Sequence, residues 1–138
     1  SIKLKHENVL KLMKNFVLRV KKNKKNIVNF INKQIRKGKK IFLYGASTKG
    51  NTFLQYYNLN NKKIPFAAEK TPSKWGRYTI GTGIEIISEK EARKLNPDYF
   101  LVTPWAFIKE FVKREKNWLK SGGCFILPFP RLKLIKKQ

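Results

Sequence analysis

The chain has 138 residues, of which 41 % are apolar and 13 % aromatic, a composition typical of one globular domain rather than a disordered segment. Its single cysteine excludes an intrachain disulfide framework and a metal site built from several cysteines, and no apolar run approaches the ~20 residues of a membrane-spanning helix. The net charge of +24 suits a partner that carries phosphates, but lysine greatly outnumbers arginine, which binds phosphates better, so we interpret most of this charge as a solvated surface.

The first part of the chain is predicted to be helical, because apolar residues recur at spacings of three and four from residue 7 to residue 37. A Lys/Asn cluster at residues 21–26 interrupts the pattern, which fits either a solvated stretch of one long helix or a short break between two helices. Gly38 is a suitable C-cap. We therefore expect residues 1–39 to form a helical arm or linker helix.

From Lys40 onward, short apolar segments alternate with amphipathic ones. The predicted strands are residues 41–44, 64–69, 84–87, 98–102 and 124–127, with a further edge strand at 132–135. The predicted helices are residues 48–57, 89–95 and 106–119. Strands separated by helices of about ten residues indicate a parallel sheet with right-handed crossovers. For residues 40–138 we predict an α/β fold, a Rossmann-like parallel sheet flanked by helices and preceded by the N-terminal helical arm.

The turn after the first predicted strand, Gly45-Ala46-Ser47-Thr48-Lys49-Gly50, is the first candidate binding segment. In open parallel sheets, ligands bind beyond the carboxyl ends of the strands. Ser47 or Thr48 would cap the next helix, whose free N–H groups attract anions, and Lys49 adds a positive charge. The turn does not match the pattern of a P-loop, a dinucleotide-binding loop or a methyltransferase cofactor loop. A capped turn without a ligand and an anion site are therefore equally compatible with it.

Two further segments follow predicted strands and would meet this turn. Glu69 ends the second strand, where it either serves as the ribose-binding acid of a Rossmann fold or pairs with Lys70 or Lys74. Residues 74–78 combine positive charge with aromatic surface, which suits a nucleotide or a domain interface. Trp105 is either a stacking platform or a lid on the core. Because the sequence shows no paired carboxylates, nucleophile–base pair or metal-ligand cluster, we predict no catalytic residues in this chain.

Four segments, "YGASTKGNTFLQYY", "EKTPSKWGRYTIGTGIEI", "NPDYFLVTPWAF" and "GGCFILPFP", resemble in order and spacing the C-terminal domain of SAM-dependent sugar C-methyltransferases. These enzymes act on nucleotide-linked deoxysugars. The family has a cysteine-rich zinc-binding N-terminal domain, a SAM-binding Rossmann domain and a C-terminal Rossmann-like domain joined by a helix. The resemblance covers roughly residues 15–132, and four separated motifs in register make it specific.

The resemblance implies a division of labour between domains. SAM and most catalytic residues would belong to an upstream domain of the same chain, with zinc in a further upstream domain, while this fragment would bind no cofactor and would be inactive alone. Its part would be to bind a nucleotide-linked sugar of the dTDP type and position it for methyl transfer. The residues that match the family's binding motifs, and would line the cleft, are Ser47, Thr48, Lys49, Gly50, Asn51, Lys74, Gly76, Gly81, Thr82 and Trp105.

The chain also departs from the family motifs at four positions, the first of which is Ile80, where the family tends to have proline. Gly83 stands where the family tends to have histidine, Glu85 where it has proline, and Ala106 where it has asparagine. The changes at positions 83 and 106 remove polar side chains from the expected rim of the cleft. Neither the identity of the sugar nor the retention of activity therefore follows from the resemblance.

Two other functions remain open at this stage. The first is a nucleic-acid-binding module that uses the arm, because residues 1–40 hold fourteen basic residues and only Glu7 among the acids. The second is an NAD-type enzyme with Glu69 on the ribose, although its loop lacks the central glycine. The chain begins with Ser1 and has no signal-peptide pattern, so we expect a fragment of a longer cytoplasmic protein without a membrane partner.

Overall fold

The computed structural model describes residues 1–137, in which helices alternate with short strands. The strands are β1 (Ile41–Tyr44), β2 (Phe66–Glu69), β3 (Glu85–Ser88), β4 (Tyr99–Val102), β5 (Cys124–Leu127) and β6 (Lys133–Ile135). The α-helices are α1 (Ile2–Arg36), α2 (Thr48–Tyr56), α3 (Glu89–Lys94), α4 (Ile108–Arg114) and α5 (Lys116–Lys120). Short 3-10 helices occupy Pro72–Lys74 and Trp105–Phe107. Within residues 1–137, no helix combines the length and the apolar character that crossing a bilayer requires.

The six strands form one sheet in the order β3-β2-β1-β4-β5-β6. All neighbours are parallel except β5 and β6, which are antiparallel. This sheet confirms the predicted α/β fold. From β1 the chain moves outward to β2 and β3, and then returns to β4 on the other side of β1. Tyr44 and Val102 lie opposite each other, so the loops after β1 and β4 start side by side and diverge, which is where open α/β sheets bind ligands.

Each face of the sheet has its own core, because successive side chains of a strand point to opposite faces. On one face, Leu43 belongs to a buried cluster with Ile31 of α1 and Leu54 of α2. On the other face, Phe42 belongs to a cluster with Trp118 of α5. All four residues of β1 are buried, which explains why the central strand is a continuous apolar run in the sequence.

Helix α1 is a single helix of 35 residues, so the Lys/Asn cluster is a mostly exposed stretch of one helix and not a break. It ends in a Schellman motif, in which Gly38 has a φ of 79° and the Lys39 N–H donates to the Gln34 carbonyl at 3.0 Å. Only its second half packs on the sheet, where Ile27 and Ile31 are fully buried. The first half extends beyond the sheet as an exposed helix.

The predicted continuous helix over residues 106–119 is wrong. The chain instead forms a 3-10 turn, α4 and α5, with Glu115 between the two α-helices at φ −102° and ψ 25°, outside the helical range. The Glu115 side chain is 1 % exposed and accepts a hydrogen bond from the hydroxyl of Tyr44, the last residue of β1. The periodicity of apolar residues did not reveal this interruption, because it falls at a charged residue, Glu115, which is not part of the apolar pattern.

Candidate functional site

The first turn of α2 lies where the loops after β1 and β4 diverge. Gly45, with a φ of 85°, lets the chain leave β1 sharply. Ser47 is the N-cap, and its hydroxyl accepts a hydrogen bond from the Gly50 N–H at 3.0 Å. The N–H groups of Thr48 and Lys49, the first two residues of α2, have no carbonyl acceptor within the helix, as at the start of every α-helix. The turn therefore presents an N-terminal helix end, with a lysine in its first turn, to the edge of the sheet.

Thr103, directly after β4, packs against this turn. A side chain at position 50 would overlap the Thr103 hydroxyl, so only glycine allows α2 to approach β4 this closely. Thr103 is 7 % exposed, and its hydroxyl has no hydrogen-bond partner among residues 1–137. A buried hydroxyl without a partner costs about 1–3 kcal/mol, so this group is suited to a ligand that supplies one.

A crevice of about 630 Å³ opens between the N-terminus of α2 and residues 103–107. Its apolar wall consists of aromatic rings: the centroid of Phe129 lies 5.4 Å from that of Trp105 and 5.5 Å from that of Phe53. Trp105 is 47 % exposed and lines the crevice, so its side chain is accessible to a ligand there. Among the residues predicted for the cleft, those that line this crevice are Ser47, Thr48, Lys49, Gly50 and Trp105.

Three other predicted residues hold a neighbouring loop in place. The Asn51 amide donates to the Ile80 carbonyl at 2.7 Å and accepts from the Thr82 hydroxyl at 2.8 Å. Gly81 has a φ of 75°, and a side chain there would overlap Gln55 of α2. These contacts fix the loop before β3 against α2, and none of these residues lines the crevice.

Lys74 and Gly76 also have structural partners outside the crevice. The Lys74 ammonium donates to the Ala46 carbonyl at 2.9 Å and lies 3.9 Å from a Glu69 carboxylate oxygen. The Glu69 carboxylate, which is buried, accepts from the N–H groups of Ala46 at 2.7 Å and Thr71 at 3.4 Å. Of the two roles that the sequence left open for Glu69, the structure thus shows the ion pair with Lys74. The hydrogen bond from Ala46 also fixes the turn after β1. Gly76 donates its N–H to β3.

Sequence reasoning missed a buried polar network on the other side of the sheet. The Tyr44 hydroxyl donates to Glu115 at 2.7 Å, and Arg93 donates two hydrogen bonds of 2.7 Å to the same carboxylate. Arg114 donates to the Tyr44 hydroxyl at 3.0 Å and to Glu89 at 3.0 Å. Burial, followed by the hydrogen bond to Glu115, raises the pKa of Tyr44 well above its ordinary value, so Tyr44 stays a neutral donor. A tyrosine at the end of a buried strand was the only local signal.

The unpartnered hydroxyl leads to a stability prediction. We expect Thr103→Val to raise the free energy of unfolding of the free chain by about 1 kcal/mol, because valine keeps the shape and removes a buried hydroxyl without a partner. Urea unfolding measures the change. Thr82→Val is the matched control, since Thr82 is 4 % exposed but hydrogen-bonded, and should lose about 1 kcal/mol. A destabilised Thr103→Val variant would contradict the assignment of this hydroxyl as unpaired.

Comparison with known proteins identifies the family. A family model described as the C-methyltransferase C-terminal domain matches residues 4–130. The chain belongs to this family. C-methyltransferase NovU from Streptomyces niveus is 36 % identical over 101 residues, which cover 73 % of this chain and 24 % of NovU. The chain therefore spans about a quarter of the length of that relative. The resemblance seen in the sequence motifs is confirmed at the level of the family.

In this C-methyltransferase C-terminal domain, the crevice offers groups for binding. It combines a helix N-terminus, the Lys49 ammonium, a buried hydroxyl and an aromatic wall. Within residues 1–137, no group of three or more His, Cys, Asp or Glu side chains is arranged to hold a metal ion. Of the departures from the family motifs, Ala106 lines the crevice, whereas Ile80 and Gly83 in the loop before β3, and Glu85 at its first position, lie outside it.

Proposed function

We propose that this domain binds the nucleotide-linked sugar substrate of a SAM-dependent C-methyltransferase, of the dTDP type, and positions it for methyl transfer. In the full enzyme, a base would remove a proton from a sugar carbon next to a keto group, and the carbanion would form a bond to the methyl carbon of SAM as the sulfur–methyl bond breaks and S-adenosylhomocysteine leaves. SAM supplies that methyl group in an upstream domain of the same polypeptide. The contribution of this domain is to hold the substrate and neutralise its phosphates.

The crevice is the observation that carries this proposal. A diphosphate needs N–H donors and positive charge, which the first turn of α2 and Lys49 provide. A nucleotide base stacks on an aromatic ring, and Trp105 and Phe129 place two such rings side by side in the crevice. Both features lie at the divergence of the loops after β1 and β4, the position at which α/β sheets bind nucleotides.

The residues of this domain do not fit SAM itself. Glu69, the acid at the end of β2 that would bind a ribose, already accepts hydrogen bonds from Ala46 and Thr71 and pairs with Lys74. β1 ends in Leu43 and Tyr44, without the acid that methyltransferase cofactor loops usually carry. We therefore place the methyl donor in another domain, and the crevice serves the substrate.

Thermal unfolding with dTDP tests the proposal. A ligand at 100 times its Kd stabilises the folded chain by about 2.7 kcal/mol, so we expect dTDP to raise the Tm by several degrees. Lys49→Ala should reduce the affinity for dTDP about tenfold, because the phosphates lose an opposite charge at the helix end. Lys62→Ala removes an equally charged exposed lysine outside the crevice and is the matched control.

Three ligands separate the sources of any shift. Thymidine tests the aromatic wall alone and pyrophosphate tests the helix end alone, and each should bind more weakly than dTDP. An unchanged Tm with millimolar dTDP would refute the proposal. Equal losses in Lys49→Ala and Lys62→Ala would refute the position of the phosphates and indicate a response to overall charge.

The Thr103 variant gives a second readout at the same site. If the hydroxyl of Thr103 pairs with the ligand, Thr103→Val lowers the affinity for dTDP about tenfold while it stabilises the free chain. Opposite signs for stability and affinity distinguish a ligand contact from damage to the fold. An unchanged affinity of Thr103→Val for dTDP would show that the Thr103 hydroxyl does not contact the ligand.

A further inference from the structure

The first half of α1 carries a large exposed apolar surface. Nine large apolar side chains in this half are at least 45 % exposed: Ile2, Leu4, Val9, Leu10, Leu12, Met13, Phe16, Val17 and Leu18. Contiguous apolar surface of this kind on a helix marks an interaction site, because leaving it in water forfeits its burial energy. We call the part of this surface formed by Val9, Met13 and Phe16 the apolar stripe.

The apolar stripe continues a contact that already exists in the fold. Val9 and Ile27 are eighteen residues apart, as are Met13 and Ile31, and eighteen residues make five full helical turns. Each pair therefore lies on the same side of α1. Ile27 and Ile31 are fully buried against the sheet, while Val9 and Met13 lie about 27 Å further along the helix, where residues 1–137 provide no cover.

The helix holds the apolar stripe in a fixed direction relative to the crevice domain. α1 is continuous from Ile2 to Arg36. In its middle, the Asn23 amide donates to the Pro128 carbonyl at 2.9 Å and accepts from the Leu132 N–H at 3.1 Å. A partner seated on the stripe is thus held rigidly with respect to the sheet, as positioning a substrate against a second domain requires.

Charge restricts the identity of that partner. By helix geometry, Lys5 and Arg19 lie on one side of the stripe and Lys14 on the other, and Glu7 is the one acidic residue in the first half of the helix. Two copies of this chain would bring these positive flanks together, which opposes association. The stripe therefore suits an apolar surface with an acidic rim on a different domain.

We propose that the apolar stripe packs against the methyl-donor domain that precedes this domain in the same polypeptide. This inference rests on the proposed function. Family membership places this chain as a C-terminal domain, and NovU is about four times as long as the part it shares with this chain. A covalently linked domain is present at high effective concentration, so a single helix face is sufficient for stable contact.

Hydrogen–deuterium exchange of residues 2–20 tests the contact. We expect amide exchange in these residues to be at least about tenfold slower in the full-length polypeptide than in the 138-residue chain, because packing suppresses helix fraying. The variant Met13→Gln/Phe16→Gln should lose this protection. Leu4→Gln/Leu18→Gln is the matched control. Leu4 and Leu18 are 60 % and 63 % exposed, as much as Met13 and Phe16 at 59 % and 60 %, but Leu4 lies on the side of α1 opposite Met13.

Each other outcome identifies a different occupant and overturns the proposal. Protection of the 138-residue chain that rises with its concentration would indicate a second copy. Protection only with vesicles of phosphatidylcholine and phosphatidylserine in equal parts would indicate a lipid surface. Equal exchange under all conditions would show that nothing covers the stripe. The dTDP-induced rise in Tm, measured on the same variants of the 138-residue chain, should not change, so a failure of docking is distinguishable from a failure of substrate binding.

Discussion

Replacing Glu115 by alanine is expected to lower the free energy of unfolding by about 3 kcal/mol. The Glu115 carboxylate is 1 % exposed and accepts one hydrogen bond from Tyr44 and two from Arg93. Its removal leaves the Arg93 guanidinium and the Tyr44 hydroxyl without their main partner. Because Arg93 is partly exposed to water, we place the effect at the lower end of the range for broken buried ion pairs. Urea unfolding followed by circular dichroism measures the loss.

Glu110→Ala is the control for this prediction. Glu110 also pairs with an arginine, Arg114, at 3.3 Å, but its side chain is largely exposed and the pair lies on one helix face. Surface pairs of this kind contribute less than about 0.5 kcal/mol. A loss at Glu115 no greater than that at Glu110 would show that the network does not stabilise the fold.

Ile31→Ala should destabilise the chain by about 3 kcal/mol. Ile31 is fully buried in the core that joins α1 to the sheet, and removing its side chain leaves a cavity among Ile27, Leu43 and Leu54. Thermal unfolding should show one transition at a lower temperature, because helix and sheet share this core.

Val17→Ala is the matched variant in the first half of the same helix. Val17 is exposed, so its truncation should change the stability by less than about 0.5 kcal/mol. The pair of variants also tests the predicted boundary at residue 39, which stays a prediction. If residues 1–39 unfold as a separate arm, Ile31→Ala will leave the main transition of the sheet unchanged.

The sequence predicted the turn after β1 well because its signals are local. Ser47 caps α2 through a hydrogen bond to a residue three positions away, and Gly45 permits a sharp turn. The place of this turn at the edge of the sheet followed from the alternation of strands and helices. Whether the turn binds a ligand stays a prediction, since capping explains the same residues.

The second predicted binding segment shows where motif matching stops. Asn51 and Thr82 match the family motif, and in the structure they hydrogen-bond to each other and hold the loop before β3. The Lys74 ammonium donates to the carbonyl of Ala46 and pairs with the carboxylate of Glu69, both in this chain. A motif records which residues recur, and it does not separate those that touch a ligand from those that shape the loop beside it.

The sequence by itself determined the succession of strands and helices along the chain, the single long α1 as one of two alternatives, and the family, because each depends on local periodicity or on contiguous motifs. The tertiary structure decided the break at Glu115, the partners of Glu69 and the unpaired hydroxyl of Thr103. Tyr44 and Glu115 are 71 residues apart, and Asn23 and Leu132 are 109 apart. Such contacts arise only when the folded chain buries polar groups together, since a buried charge needs a partner wherever the fold places one.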